Sequence, residues 1–118
     1  MAAAYGGYLE LVKFLVSKGV DVNEESVGGT PLNWAIRGGK LEVAEFLISK
    51  GVNVNADGAI GTPLHVATDV GNVEFVKFLI SKGADVNAGS EIAGNLLYFA
   101  SQRDNDEVIE TLISAGAQ

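Results

Sequence analysis

Between Lys40 and Gly51 the chain sets apolar side chains at Leu41, Ala44, Leu47 and Ile48, a three-and-four spacing that lines one face of a helix. Gly51 closes the pattern at a point where a left-handed cap suits a residue without Cβ. The run is not unique. Leu9-Glu-Leu-Val-Lys-Phe-Leu-Val-Ser-Lys-Gly19 returns as Leu41-Glu-Val-Ala-Glu-Phe-Leu-Ile-Ser-Lys-Gly51 and as Val73-Glu-Phe-Val-Lys-Phe-Leu-Ile-Ser-Lys-Gly83, each 32 residues after the last. A looser fourth copy runs from Asp106 to Gly116, one residue further on. Ahead of two of these helices, Thr30-Pro-Leu and Thr62-Pro-Leu predict another: a threonine hydroxyl caps it, and proline takes the first position, whose N–H would be unpaired in any case. Gly39 and Gly71 end it, and the second helix leads into an extended segment such as Val52-Asn-Val-Asn55. Each period therefore predicts two short antiparallel helices and an extended turn, a unit that buries its apolar side by stacking on its neighbours.

Thr62-Pro-Leu-His-Val-Ala67 and Gly83-Ala-Asp-Val-Asn87 carry a resemblance to the ankyrin repeat over essentially the whole chain. It implies an all-α solenoid of helix-turn-helix units with short β-hairpin-like fingers. The expected organisation is a single domain, 1–118, with repeats at approximately 1–25, 26–57, 58–90 and 91–118. The first repeat starts inside its first helix, since Ala3 aligns with Ala35, Ala67 and Ala100. In the last, Asn95-Leu-Leu-Tyr-Phe-Ala100 replaces the Thr-Pro run and Asp104 stands in the place of the helix-ending glycine. That repeat gathers Arg103, Asp104, Asn105, Asp106, Glu107 and Glu110, the polar face expected of a terminal cap. Ala2, Ala3, Leu9 and Val12 are expected to lack a covering repeat, so either the chain is part of a longer array or this end stacks on another copy. Some ankyrin repeats are hydroxylated on the turn asparagine, which Asn55 and Asn87 match in position.

Composition narrows the function classes. Eight basic against fifteen acidic residues give a net charge of −7, which repels phosphate backbones and anionic lipid. Neither nucleic acid nor a membrane surface is expected as a partner. The absence of cysteine excludes a disulfide framework and thiolate metal sites. No stretch approaches the length of a membrane span and the amino end has no leader pattern, so a cytoplasmic location is expected, with the nucleus also open.

The residues that could carry chemistry have better structural explanations. His65, the one histidine, lies in the Thr-Pro-Leu-His run, where the resemblance implies that its imidazole ties threonine and neighbouring backbone together. Asn33 and Tyr98 occupy the matching positions and can also hydrogen-bond. Asp104, Asp106, Glu107 and Glu110 lack the spacing of a calcium loop and suit a helix start and a solvated face. Gly28-Gly29 and Gly58-Ala-Ile-Gly61 are followed by no lysine-serine or lysine-threonine pair, which a phosphate-cradling loop requires. No hydroxyl nucleophile pairs with a base, so no catalytic, cofactor or metal site is expected. Phe14, Phe46, Phe78 and Trp34 are expected in the core.

What remains is binding. The resemblance implies a protein ligand held by the finger tips and the exposed side of the first helices. The positions that change chemistry from repeat to repeat lie there: Tyr5, Arg37, Asp69 and Gln102 in one row, with Val70 and Arg103 beside it, and Glu25, Val27, Ile60, Glu91 and Ile92 at the tips. The expected function is a non-catalytic protein-protein interaction module, monomeric or a weak end-to-end homodimer; a structural element that stacks end to end is the alternative. Acidic groups mixed with aliphatics suggest a partner with basic residues around an apolar anchor. The fingers are short: Asn23 to Thr30 and Asn55 to Thr62 each span seven steps, against eight from Asn87 to Asn95.

Overall fold

The structure, a computed structural model, describes residues 9–19, 30–56, 61–90 and 94–117, the side chains of Leu15 and Ser90 excepted. The chain divides into two compact units, Met1–Asn53 and Val54–Gln118. In the first unit lie α1 (Leu9–Ser17), α2 (Pro31–Arg37) and α3 (Leu41–Ser49), with α3 packed against both α1 and α2. The second holds α4 (Pro63–Val70), α5 (Val73–Ser81), strands β1 (Gly89–Ser90) and β2 (Gly94–Asn95), α6 (Leu96–Ser101) and α7 (Asp106–Ser114). Here α4 packs on α5 and α6 on α7 within each repeat, while α4 meets α6 and α5 meets α7 between repeats. The strands pair antiparallel, Gly89 opposite Asn95 and Ser90 opposite Gly94, forming the base of a finger.

The helix starts follow the capping chemistry. Thr30 and Thr62, both in extended backbone, accept from the N–H groups of Asn33 and His65, with proline next in line. Asn95 replaces threonine without losing the function: its side chain accepts from Tyr98 N at 2.7 Å. Second helices are capped by Asn72, which accepts from Phe75 N, and Asn105, which accepts from Val108 N. At α3 the cap position is Lys40, whose side chain makes no capping bond although its φ of −105° and ψ of 83° nearly match Asn105 at −102° and 93°. Lys40→Asn should therefore insert a working cap without moving the backbone. The expected gain is about 1 kcal/mol in the first unit, read from the denaturant midpoint; an unchanged or lower midpoint would contradict it.

Left-handed residues end the first helices. Gly39 and Gly71 have φ of 68° and 80°, and Asp104, in the glycine's place, adopts 54°. Aspartate is among the few side chains that tolerate this region, which explains how the last repeat keeps its turn.

The core of the first unit is Val12, Leu32, Ala35, Ile36, Val43, Ala44 and Leu47; in the second, Leu64, Val66, Ala67, Phe75, Val76, Leu79, Leu96, Ala100, Val108 and Leu112 are buried. The buried stripe of α3 is thus centred on Val43, Ala44 and Leu47, while Leu41 is exposed and Ile48 half-buried, a rotation from the expected face. Val12 is buried, contrary to the expectation that it would lack cover, and Leu9 is half-buried.

The phenylalanine row also departs from expectation. Phe46 and Phe78 are half-buried and Phe14 is 56% exposed. Phe46 and Phe78 stand one residue before the buried Leu47 and Leu79, about 100° around the helix axis, so they reach only the edge of the core. Lysines cover the rings instead: Lys18, Lys50 and Lys82 lie 5.4, 5.6 and 5.7 Å from the centroids of Phe14, Phe46 and Phe78. Trp34 is half-buried rather than enclosed.

Candidate functional site

In the second unit, asparagines of one repeat bond the backbone of an adjacent one. Asn55 donates from Nδ2 to Gly83 O at 3.2 Å and accepts from Asp85 N at 2.7 Å. Asn87 donates to Gly116 O at 3.4 Å, and Asn105 to Gly71 O at 3.5 Å. The turn asparagines are therefore part of the scaffold, whatever their modification.

His65 joins the same scaffold. It is fully buried. Nδ1 lies 2.9 Å from Thr62 Oγ1 and accepts from Thr62 N at 3.2 Å, while Nε2 stands 3.1 Å from Gly94 O. A carbonyl can only accept, so the proton belongs on Nε2, and Nδ1 is left as the acceptor that the Thr62 amide needs. One imidazole thus completes the capping box of α4 and ties it to the strand before α6. Asn33 does not reproduce this: its N–H donates to Thr30 Oγ1 at 3.3 Å, but its buried Oδ1 has no hydrogen-bond partner. Tyr98 projects outward, 59% exposed. Hydrogen-bonding capacity alone did not predict the role, because amide and phenol cannot place a ring nitrogen over the cap.

Of the candidate binding residues, Asp69, Val70, Gln102 and Arg103 come together at the ends of α4 and α6. Asp69 and Arg103 do not act as separate charges. Arg103 Nε donates to Asp69 Oδ1 at 2.9 Å, and the guanidinium lies over the Phe99 ring at 4.4 Å. Phe99 in turn meets His65 edge to face at 5.5 Å. A rigid chain therefore runs from the buried histidine through the aromatic ring to a half-exposed ion pair, with Val70 43% exposed beside it and Gln102 also open. The Phe99–Arg103 contact follows the i, i+4 spacing of a helix and was readable from sequence; the Asp69 pairing, 34 residues distant, was not. Arg37 is half-buried at the end of α2, in the other unit. Tyr5, Glu25, Val27, Ile60, Glu91 and Ile92 lie outside the described residues.

Shallow depressions among the described residues include one of about 240 Å³ lined by Leu9, Lys40, Leu41 and Val43 and one of about 450 Å³ lined by Lys77, Glu107, Glu110 and Thr111. Among the described residues no cluster of three or more His, Asp or Glu could hold a metal ion, and no helix is long and apolar enough to cross a membrane.

The family model described as Ankyrin repeats (3 copies) matches residues 1–90 and again 57–118, so the whole length is covered. The chain belongs to the ankyrin repeat family. Ankyrin repeats are generally protein-interaction modules and typically not catalytic, and this ankyrin chain has the all-α fold that goes with the family. No curated protein matches it.

Proposed function

We propose that this ankyrin chain is a non-catalytic binding module that holds a protein partner on the exposed ends of its first helices, with Asp69, Val70, Gln102 and Arg103 as the centre of contact. The observation that carries the reading is the Arg103–Asp69 pair held on Phe99. An arginine stacked on an aromatic and bonded to a carboxylate is pre-oriented before any partner arrives, which lowers the entropic cost of using it in an interface. Val70, next to Asp69 in the chain, supplies exposed apolar area beside it. Tyr5 and Arg37, at the matching sequence positions of the first two repeats, and Glu25, Val27, Ile60, Glu91 and Ile92, at the finger tips expected from the sequence, complete the candidate set. Since Asp69 is already paired, attraction for a basic partner falls to the acidic tips and to the net charge of −7.

The test is affinity capture on the immobilised chain, followed by titration of the captured protein. Val70→Glu and Arg103→Ala should each weaken binding about tenfold or more, roughly 1.4 kcal/mol. Thermal stability should hardly change, because an exposed pair contributes only about 0–1 kcal/mol. A captured protein whose affinity ignores both substitutions would defeat this assignment.

A further inference from the structure

Burial at equivalent positions of the four repeats reveals two faces that fit each other. Leu11 occupies the position of Val43, Phe75 and Val108, all of which are buried, yet it is 47% exposed. Phe14 is likewise open where Phe46 and Phe78 are half-buried. On α7 the reverse side is bare: Ile113 is 54% exposed, whereas Ile48 and Ile80 at the same position are half-buried. Within each unit, Val43 and Phe46 have α1 as a neighbour and Ile80 has α7, and these are covered positions.

Charge identifies the neighbour. The position one before the phenylalanine row reads Lys13, Glu45, Lys77 and Glu110, alternating in sign along the repeats. Where adjacent repeats are described together, these residues border the stacking contact without closing into ion pairs: Lys13 lies 5.8 Å from the Phe46 ring in the first unit, and Lys77 lines a surface depression with Glu107 and Glu110 in the second. Placing α7 of one copy against α1 of another continues the series, since Glu110 then meets Lys13. The other contacts are also suited, with Ile113 free to cover apolar area at Leu11 and Phe14. Lys13 holds Glu10 of its own helix at only 3.8 Å, with both side chains well exposed, so it remains available to a second carboxylate.

We infer that this chain associates head to tail with a second copy, the α1 face of one seated on the α7 face of the other by the same contact that stacks its own repeats. Such a contact is heterologous: it uses two different patches and leaves one of each free on every dimer. The inference stands apart from partner binding on the first helices, which uses neither Leu11 nor Ile113.

Sedimentation velocity on the full chain tests it, with Leu11→Asp blocking one face and Ile113→Asp the other. Both positions are exposed, and circular dichroism checks that the variants are folded. The unmodified chain should gain mass with concentration, and more so at low salt. Each variant alone should stay monomeric, and an equimolar mixture should recover a one-to-one dimer, because each supplies the face that the other lacks. An unmodified chain that stays monomeric at every concentration overturns the inference. So does self-association of the Ile113→Asp variant, which would mean a symmetric α1-to-α1 contact, or a mixture that remains monomeric.

Discussion

Replacing His65 with alanine should cost this protein about 3 kcal/mol, against the 0.5–2 kcal/mol that loss of a helix cap alone typically costs. Three losses combine. The Thr62 amide loses its acceptor and the capping box opens, Gly94 O loses its donor, and a fully enclosed ring leaves space behind. Phe99 also loses its edge-to-face neighbour, so the platform beneath Arg103 loosens. Chemical denaturation should show a lower midpoint with an unchanged slope. His65→Asn should fall nearly as far, since Asn33 in the matching place keeps its N–H bond to threonine but leaves its own oxygen unpaired. A loss below about 1 kcal/mol for His65→Ala would mean that the imidazole fills space rather than joining the repeats.

The contrast between His65 and Asn33 marks how far the sequence could be read. The repeat period follows from a run that recurs at a 32-residue step and the helix starts at Thr30 and Thr62 from residues within one turn of helix, while the structural rather than catalytic place of His65 is what the family resemblance implies. Asp104 was legible as the residue in the glycine's place, and its left-handed backbone keeps that turn. Burial was less legible. A phenylalanine that recurs at the repeat step must do the same thing in each repeat, but the period does not say whether that is to fill the core or to border it, and a ring one residue away from Leu47 or Leu79 borders it. Contacts between repeats were not legible at all. Asp69 and Arg103 each satisfied the criterion of a variable, outward position, and only the stacking of α4 on α6 turns two candidates into one neutralised pair.

Gly61, ahead of the cap Thr62, was readable as part of a shortened finger but not as a steric requirement, and this leads to the second large effect. Gly61→Ala should destabilise the chain by about 3 kcal/mol, combining left-handed backbone strain of roughly 1–2 kcal/mol with a collision. At φ +105° a new Cβ would lie 2.8 Å from His65 Cγ and 2.9 Å from its Cβ. The ring cannot retreat, because the Thr62 and Gly94 contacts hold it from both sides. Gly94 provides the comparison: its φ is +78°, but an added Cβ would meet the exposed ring of Tyr98 at 3.3 Å, and that ring can swing into solvent. Gly94→Ala should therefore cost only the backbone share, about 1–2 kcal/mol. The two contributions at Gly61 separate in a double-mutant cycle. In a His65→Ala background the contacts with Cγ and Nδ1 are gone but the Cβ at 2.9 Å remains, so the cost of Gly61→Ala should fall only part of the way towards about 1–2 kcal/mol, leaving a coupling of roughly 1 kcal/mol between the two sites. Strictly additive costs would show that the methyl does not strike the imidazole ring, leaving the backbone angle and the Cβ contact as the reasons for glycine.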